Sequence, residues 1–511
     1  MTVDADNDVV TFDYYEGFIS SNLKNDTDYM EYYFLDNGGE PEYTGELKGV
    51  EFDLSKYDLD IVENDGSVYL PFCTLNDIFS DTDFALTYKK EQFNIVSVYG
   101  QMGAKGKFAS VRSEAYAKYD YNELCFSIDC FAGRPSNALF TESIVKNGLD
   151  KTFDSYNSIT PKVKELLLSR NVEDYCAGLI LLQYYLYDGG HTRLEFSIGD
   201  RLKKYGISDP ASAAKKVFGS DDNKDVKEII EWQEKKAAAA ETNKLLSVER
   251  SNAYNSFELV KQWNGITLYR TGDTFFFSFG YFDDSVLSAF KESMDYAAEH
   301  NAKNFIVDVT SNNGGYPIVA AYMISLMSGD VDYLEKSIVS GNIVRFNSRI
   351  DKNLDGKFDE KDDEVKYNFR CAVLGCRDTY SCPNEFACFA QDAGICIIGE
   401  TTGGGSCCVV QRLYTNGACY NISGSSMYLR VSGKDADKGA MPDVPMPGAE
   451  YNYEGFYNIN LIKKGIAEFY GDPIPDTEVL YGDIDNDSVI TSNDALTILR
   501  ASVGIVTFNS D

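Results

Sequence analysis

The sequence predicts a multi-domain α/β protein whose largest domain is a mostly parallel β-sheet with helices on both faces. One observation is length: 511 residues with 44% apolar side chains are enough for two to four domains. A second is that apolar, strand-like runs alternate with helical segments from about residue 255 onward. Such alternation is typical of parallel sheets that are covered on both faces.

Five segments follow one another along the chain. Residues 1–48 are acidic and rich in Tyr, with the pattern of strand and turn, and form a β-rich segment. Residues 49–135 contain strand, short helix and two strands, a small α+β pattern that resembles the stalk domain of copper amine oxidases and implies no copper. Residues 140–254 carry helical periodicity, residues 255–472 form the predicted α/β core, and residues 480–511 end in a loop and a helix.

Within the predicted core, four apolar runs have the character of strands: "GDTFFFSFGYF", "KNFIVDV", "YNFRCAVLGC" and "GICIIGE". The segments "DDSVLSAFKESMDYAAEH" and "YPIVAAYMISLMSG" have helical periodicity between them. Ligands of such sheets bind beyond the carboxyl ends of the strands. The segments "DVTSNNGG" and "RDTYSC" both follow strands, so we expect them to meet at one edge of the sheet.

Charge and cysteine content exclude several classes of function. Acidic residues outnumber basic ones by 80 to 47, and a net charge of −33 repels nucleic acids and anionic membrane surfaces. No apolar run approaches the roughly 20 residues that span a bilayer. The start "MTVDADNDVV" lacks a signal-peptide pattern, which fits a cytosolic start or a start Met on a mature secreted chain. The twelve cysteines show no paired C-x-x-C spacing, so we expect small buried residues with a few disulfides.

Residues 377–405, "RDTYSCPNEFACFAQDAGICIIGETTGGG", hold two adjacent candidate nucleophiles and no lysine. Ser381 follows a strand and begins a helix, where unpaired N–H groups and the helix dipole favour a developing oxyanion. Serine there is also a common N-cap. The thiol of Cys382 would be activated by the same helix end. Gly314 and Gly315 follow another strand and either offer an N–H to the oxyanion or form an ordinary turn.

Only two histidines are available as a general base. His300 ends the helical segment "MDYAAEH", and with Asn301 as a left-handed residue after it we interpret it as structural. His191 follows a double glycine at a helix end and precedes a strand-like run. A loop of this kind is able to direct an imidazole into a cleft, although an isolated histidine there is more often a surface residue.

Five ordered motifs carry a family resemblance: "DGGHTRLEF", "NFIVDVTSNNGG", "TYSCPNEFA", "GETTGGG" and "KGAMPDV". Together they resemble the tail-specific, or C-terminal-processing, serine peptidase family over roughly residues 145–470. They are most similar to the branch of the tricorn protease and the interphotoreceptor retinoid-binding protein repeats. The resemblance implies Ser381 as nucleophile, His191 as general base, and an oxyanion hole from the N–H groups of Cys382 and of Gly314 or Gly315.

The chain departs from the family pattern in two places. The better-known branch uses a Ser–Lys dyad, but here "TTGGGSC" has Gly405 or a neighbour in place of the lysine. The resemblance implies an acidic partner for the histidine at Asp435 or, preferably, Asp437. Thr310 and Ser311 stand where family members commonly have an Arg-Gly pair. Since some relatives have lost catalysis and bind ligands, a degenerate site is the alternative.

Two twelve-residue loops have the spacing of calcium ligands, which are oxygen atoms from a flexible loop. The C-terminal loop "DIDNDSVITSND" and the helix after it resemble one repeat of a type I dockerin, which implies a cohesin-bearing scaffold as partner. Its predicted ligands are Asp483, Asp485, Asp487, Val489 and Asp494. The loop "DKNLDGKFDEKD" lies inside the predicted core, and its predicted ligands are Asp351, Asn353, Asp355, Lys357 and Asp362.

The sequence therefore predicts a secreted, extracellular serine endopeptidase that acts on peptide or protein substrates, contains structural Ca²⁺ and is attached to a cellulosome-type scaffold through its C-terminus. The alternative is a catalytically inactive module that keeps the peptidase fold and binds peptides or hydrophobic ligands. Neither hypothesis includes nucleic acid or membrane as a partner.

Overall fold

The computed structural model describes residues 1–23, 34–36, 42–79, 84–89, 92–97, 111–194, 199–219, 222–329, 331–346, 348–415, 419–474 and 492–502. Their helices are α1 (Tyr15–Leu23), α2 (Phe72–Phe79), α3 (Glu114–Phe131), α4 (Thr141–Asn147), α5 (Leu149–Ser155), α6 (Thr160–Leu167), α7 (Val172–Tyr185), α8 (Gly199–Lys204), α9 (Pro210–Phe218), α10 (Lys224–Ser256), α11 (Asp284–Glu299), α12 (Pro317–Ser328), α13 (Glu360–Glu364), α14 (Cys382–Asp392), α15 (Ile459–Tyr470) and α16 (Ser492–Ser502).

The strands of the described residues are β1 (Thr2–Asp4), β2 (Val9–Phe12), β3 (Leu35–Asp36), β4 (Glu42–Tyr43), β5 (Val50–Asp53), β6 (Val62–Asn64), β7 (Ser67–Tyr69), β8 (Phe84–Lys89), β9 (Gln92–Ser97), β10 (Glu258–Gln262), β11 (Ile266–Thr271), β12 (Thr274–Phe279), β13 (Asn304–Asp308), β14 (Leu334–Ser337), β15 (Ile343–Arg345), β16 (Arg349–Ile350), β17 (Arg370–Gly375), β18 (Cys396–Gly399), β19 (Cys407–Leu413), β20 (Cys419–Leu429) and β21 (Val444–Pro445).

A seven-stranded sheet in the order β10-β11-β12-β13-β17-β18-β21 is the framework of the C-terminal half. Its first two pairs are antiparallel and the other four are parallel. β13 is buried along its whole length, as expected of a continuous apolar run in the middle of a parallel sheet. The α/β fold class with a mostly parallel sheet is confirmed.

Helices cover both faces of this sheet. On one face, α11, α12 and α14 pack against side chains such as Phe277 and Val307 in one hydrophobic core. On the other face, α10 and α15 pack in a separate core against side chains such as Phe276 and Ile306. Neighbouring residues of one strand thus point to opposite cores, because successive side chains of a strand alternate between the two faces.

A third core joins the N-terminal part of the chain to α3–α9 and to the hairpin β19–β20. β1 pairs with β2, and β2 pairs with β5, so this small sheet uses strands from both sides of the predicted boundary at residue 48. The predicted domain limits stay predictions. β19 and β20 also join β14, β15 and β4 in a five-stranded antiparallel sheet. The hairpin therefore connects the helical part of the chain with the seven-stranded sheet.

Several local predictions agree with the observed elements. α10 is a largely exposed helix, as its charged, Ala-rich sequence predicts. α11 ends before His300, and Asn301 follows with a left-handed φ of 55°. Among the described residues, no helix combines the length and the apolar character that crossing a bilayer requires.

Candidate active site

Ser381 lies in a strained turn between a strand and a helix. β17 ends at Gly375, α14 begins at Cys382, and the backbone of Ser381 has φ 70° and ψ −140°. Few residues other than glycine adopt this conformation, which costs on the order of 1–3 kcal/mol. A tight turn of this kind exposes a serine hydroxyl at the mouth of a helix. Ser381 is partly exposed, and its hydroxyl has no hydrogen-bond partner within the described residues.

Backbone bonds, and not the side chain, hold this turn. The N–H of Ser381 donates to the carbonyl of Gly404 at 2.9 Å, and its carbonyl accepts from the N–H of Asn384 at 2.8 Å and of Glu385 at 3.1 Å. An N-cap serine normally accepts a hydrogen bond through its hydroxyl, and that of Ser381 does not. The hydroxyl is therefore left available for another function.

Cys382, the alternative nucleophile, is only 1% exposed. Burial raises the pKa of its thiol well above the usual range, and the carboxyl group of Glu385 raises it further. Because a thiolate is the reactive form of cysteine, the buried thiol is a poor nucleophile at neutral pH. The geometry therefore favours the serine.

A glycine loop packs directly against Ser381. The N–H of Gly403 donates to the carbonyl of Thr379 at 2.7 Å. Gly404 and Gly405 both have φ +86°, and a Cβ on Gly405 would lie 2.6 Å from the ring of Tyr380 and 2.8 Å from the N atom of Ser381. A side chain in place of Gly405 would therefore displace Tyr380, which explains why glycine is required where the resemblance expects a lysine.

His191 lies beside the residue that precedes Ser381. Its imidazole packs edge-on against Tyr380, with the ring centroids 4.8 Å apart. The double glycine makes this contact possible, since Gly189 has φ +109° and a Cβ there would lie 2.4 Å from the same tyrosine ring. The hydroxyl of Tyr380 donates to the carbonyl of Asp188 at 2.8 Å. The fold thus brings His191 and Ser381 into one site, although no hydrogen bond joins them within the described residues.

The imidazole of His191 is buried, and this burial lowers its pKa below the usual 6.5. The negative charges of Asp188 and Asp437 raise the pKa of the imidazole and so oppose the effect of burial. His191 Nδ1 lies 3.3 Å from Ser423 Oγ. A neutral imidazole near neutral pH is the form that is able to accept a proton from a nucleophile.

The two predicted oxyanion glycines differ in what their N–H groups do. A Cβ on Gly314 would lie 3.8 Å from Ser381 Oγ, so the glycine turn is next to the nucleophile. The N–H of Gly314 already donates to Asn312 Oδ1 at 3.0 Å. Among the described residues, the N–H groups of Gly315 and Cys382 have no acceptor. Gly315 is therefore the glycine with a donor left for an oxyanion.

Asp437, the predicted acidic partner, binds the glycine loop and the segment after α3. Its Oδ1 accepts the N–H of Gly405 at 2.8 Å, and its Oδ2 accepts the N–H and the hydroxyl of Ser136 at 2.9 and 3.0 Å. No hydrogen bond connects it to His191 in the described part of the chain. Asp435, the other candidate, accepts the N–H of Asp437 at 2.8 Å.

The predicted calcium loop at residues 351–362 is a compact turn. Asp351 is fully buried and accepts the N–H of Gly356 at 2.7 Å, while Asp362 accepts the N–H of Lys352 at 2.8 Å. Burial raises the pKa of Asp351, and the nearby carboxylate of Asp362 raises it further. The other predicted ligands bond within the loop, and these are Asn353, Asp355 and Lys357. Within the described residues, no group of three or more His, Cys, Asp or Glu side chains is arranged to hold a metal ion.

Most of the predicted C-terminal calcium loop lies outside the described residues, namely Asp483, Asp485, Asp487 and Val489. Asp494 lies in the first turn of α16 and is buried. The twelve cysteines, all within the described residues, are free thiols, and ten of them are buried. The expected disulfides are therefore not formed, because these side chains pack as small apolar groups.

Residues 278–446 match the family model of peptidase family S41. This segment of the chain is similar to peptidase family S41. The match covers about a third of the chain and includes Gly315, Ser381 and Asp437, whereas His191 lies before it. The matched segment thus contains the turn of Ser381, and the helical part of the chain before it contains His191.

Solved structures with some likeness to the chain include three proteases. The photosystem II D1 C-terminal processing protease is 18% identical over 37% of this chain and 50% of its own, with a TM-score of 0.29. Mature CPAF is 15% identical over 42% of this chain and 57% of its own (TM-score 0.32), and the tricorn protease is 16% identical over 39% and 18% (TM-score 0.27). TM-scores this low do not establish a shared fold.

The chain spans 50% and 57% of the lengths of the first two solved structures it matches. No curated protein sequence matches it.

Sequence reasoning missed four residues that build the candidate site. Tyr380 lies between His191 and the glycine loop. Asn384 Oδ1 accepts a hydrogen bond of 2.6 Å from the hydroxyl of Thr402. Asp188 and Ser423 lie behind the imidazole. A signal existed for Asp188 alone, since an Asp three residues before a histidine and next to a double glycine is typical of a side chain that binds its own turn.

Proposed function

We propose that the chain is a serine endopeptidase in which Ser381 is the nucleophile and His191 the general base. The observation that carries this proposal is the strained turn of Ser381, with φ 70° and a partly exposed hydroxyl that bonds to nothing else in the described residues. Such strain persists where the surrounding structure fixes it, and it is concentrated at functional sites. The neighbouring imidazole of His191, whose pKa is lowered by burial, supports the assignment of the base.

The mechanism follows from these groups. His191 accepts the hydroxyl proton of Ser381 as the oxygen attacks the carbonyl carbon of a peptide bond. The resulting oxyanion binds the N–H groups of Cys382 and Gly315, and the positive end of α14 adds to this stabilisation. The protonated imidazole then gives its proton to the leaving amine, and water hydrolyses the acyl-enzyme. Closure onto substrate brings the two groups into contact, as catalytic hydrogen bonds are often long without substrate.

Hydrolysis of an unfolded protein substrate tests this proposal. Wild-type protein is expected to cleave it. The rate of hydrolysis should fall at least about a hundredfold in Ser381→Ala and by a similar factor in His191→Gln. His300→Gln is the matched control, because its imidazole stacks on Tyr296 and binds the carbonyl of the same residue. Cleavage by Ser381→Ala at the wild-type rate would refute the assignment of the nucleophile.

The second candidate is a binding module that has kept the S41 fold without catalysis. The absence of a hydrogen bond between His191 and Ser381 among the described residues, and Thr310 and Ser311 in place of the family's Arg-Gly pair, favour it. If the wild-type protein binds peptides but neither cleaves them nor reacts with a fluorophosphonate, this candidate is the better description.

We also propose that calcium stabilises the loop at residues 351–362 and the C-terminal loop. At residues 351–362, two buried carboxylates whose charges repel each other would be neutralised by a cation, and Asn353 and the carbonyl of Lys357 are further oxygen donors. The melting temperature is expected to rise with Ca²⁺ and to fall with a chelator, and Asp351→Asn should reduce the difference. A melting temperature that does not respond to chelator would contradict this proposal.

The dockerin-like repeat supports a further proposal, that the protein is secreted and attached to an extracellular scaffold. A type I cohesin is expected to bind the full chain in Ca²⁺ and to release it in chelator. Deletion of residues 475–511 is the control, and cohesin binding that survives this deletion would refute the proposed attachment site.

A further inference from the structure

A buried chain of polar groups lies behind the imidazole of His191. Asp188 is fully buried, and its carboxylate accepts the N–H of Gly190 at 3.1 Å, the N–H of Thr192 at 3.0 Å and the hydroxyl of Thr192 at 2.5 Å. The hydroxyl of Ser423 donates to the same carboxylate at 2.8 Å. Ser423 Oγ also lies 3.3 Å from His191 Nδ1, and Ser423 is 1% exposed.

The backbone fixes Ser423 in this position. β20 runs beside the segment after α7, and the backbone groups of Arg193 and Asn421 exchange hydrogen bonds of 2.9 and 3.0 Å. The N–H of Ser423 donates to Thr192 Oγ1 at 3.2 Å, and its carbonyl accepts the N–H of Gly133 at 2.7 Å. Three elements thus hold the serine side chain between the carboxylate and the imidazole.

The direction of each hydrogen bond follows from a count of protons. The carboxylate of Asp188 receives four donors and is therefore an acceptor only. The single hydroxyl proton of Ser423 lies on its shorter, charge-assisted bond to Asp188. Ser423 Oγ is then able to bond His191 only as an acceptor, so the imidazole Nδ1 must carry the proton. Its Nε2 is left as the free basic atom.

We infer that Ser423 and Asp188 are positioning residues that hold His191 as the Nδ1–H tautomer, with Nε2 free for the proton of Ser381. The role of Nε2 rests on the proposed function, whereas the tautomer does not. The titratable groups that face His191 are Asp188, Asp437 and Tyr380. Of these, only Asp188 reaches the imidazole through a hydrogen-bond chain in the described residues.

Nuclear magnetic resonance of protein labelled with ¹⁵N-histidine tests this inference, because the chain has only two histidines. His300 is an internal reference, since its Nδ1 lies 2.8 Å from a carbonyl oxygen and must be protonated. At a pH where both rings are neutral, His191 is expected to show the same Nδ1–H pattern. Ser423→Ala should shift His191 toward the Nε2–H tautomer and leave the His300 signals unchanged, which also shows that the protein remains folded.

Two further variants make the test specific. Ser423→Thr keeps the hydroxyl and should restore the Nδ1–H pattern, and the added methyl group has room because Ser423 lines a small pocket of ≈ 20 Å³. Asp437→Asn should leave the tautomer as in the wild type, because the carboxylate of Asp437 binds Ser136 and Gly405 and not the imidazole.

The outcomes separate this inference from the proposed function. A wild-type His191 with its proton on Nε2, or a tautomer that Ser423→Ala leaves unchanged, would overturn the inference whatever the activity. If the tautomer behaves as expected but no fluorophosphonate reacts with Ser381, the inference stands and the peptidase proposal fails. If both hold, Ser423→Ala should slow the reaction of Ser381 with the probe by about tenfold or more, and Ser423→Thr should restore it.

Discussion

The backbone conformation of Ser381 predicts that glycine at this position stabilises the fold more than alanine. Ser381→Gly and Ser381→Ala both remove the hydroxyl, which has no hydrogen-bond partner in the described residues. The two variants differ only by a Cβ atom. The difference in the free energy of unfolding therefore reports the strain of a non-glycine residue at φ 70° and ψ −140°, reduced by the greater freedom of glycine in the unfolded chain.

The size of the effect follows from two opposing contributions. A non-glycine residue in this region of the backbone map costs on the order of 1–3 kcal/mol in the folded state. Glycine has more conformational freedom in the unfolded chain, which opposes the gain by about 0.4–1 kcal/mol. We therefore expect Ser381→Gly to be more stable than Ser381→Ala by about 1–2 kcal/mol.

Urea unfolding of the two variants, followed by circular dichroism, measures this difference through the midpoint of the transition. The same pair of substitutions at Ser251 is the control, because Ser251 is exposed within the long helix α10. The free energy of unfolding of Ser251→Gly should be lower than that of Ser251→Ala by about 1 kcal/mol. If Ser381→Ala is as stable as Ser381→Gly, the turn is not strained and the argument for a functional serine loses its basis.

Two other predictions concern the same site. Gly405→Ala should abolish reaction with a fluorophosphonate, because its Cβ would lie 2.6 Å from the ring of Tyr380 and 2.8 Å from the N atom of Ser381. Gly433→Ala is the control and should retain the reaction, because Gly433 has a similar φ of +76° and a Cβ there would have nothing within 4 Å. The rate of this reaction should fall as the pH is lowered, with a midpoint below the usual imidazole pKa of 6.5, because burial lowers the pKa of His191 and favours the neutral base. A midpoint above 6.5 would contradict that direction.

Hydrophobic periodicity was sufficient to predict the α/β core. β12, β13, β17 and β18 are apolar runs bounded by polar turns, and α11 and α14 have an amphipathic pattern, so both kinds of element follow from local sequence. Their parallel order follows from the helical connections. The antiparallel sheet that contains β19 and β20 depends on contacts between distant segments, and local patterns do not encode such pairings.

The candidate site was predictable only in part, for a similar reason. Ser381 and His191 stand in recognisable turns, and the fold brings both to one edge of the sheet. Ser423 lies 232 residues after His191 on a strand whose register determines which side chain faces the imidazole. A shift by one residue would turn it to the opposite face of the sheet, so its place behind the histidine is a property of the tertiary structure.

The central claim is that His191 activates Ser381, and mass spectrometry after fluorophosphonate treatment measures this most directly. A single adduct on a peptide that contains Ser381 is expected, with the adduct lost in His191→Gln and retained in His300→Gln. An unmodified wild-type protein, or an adduct that forms equally well without the imidazole of His191, would contradict the account.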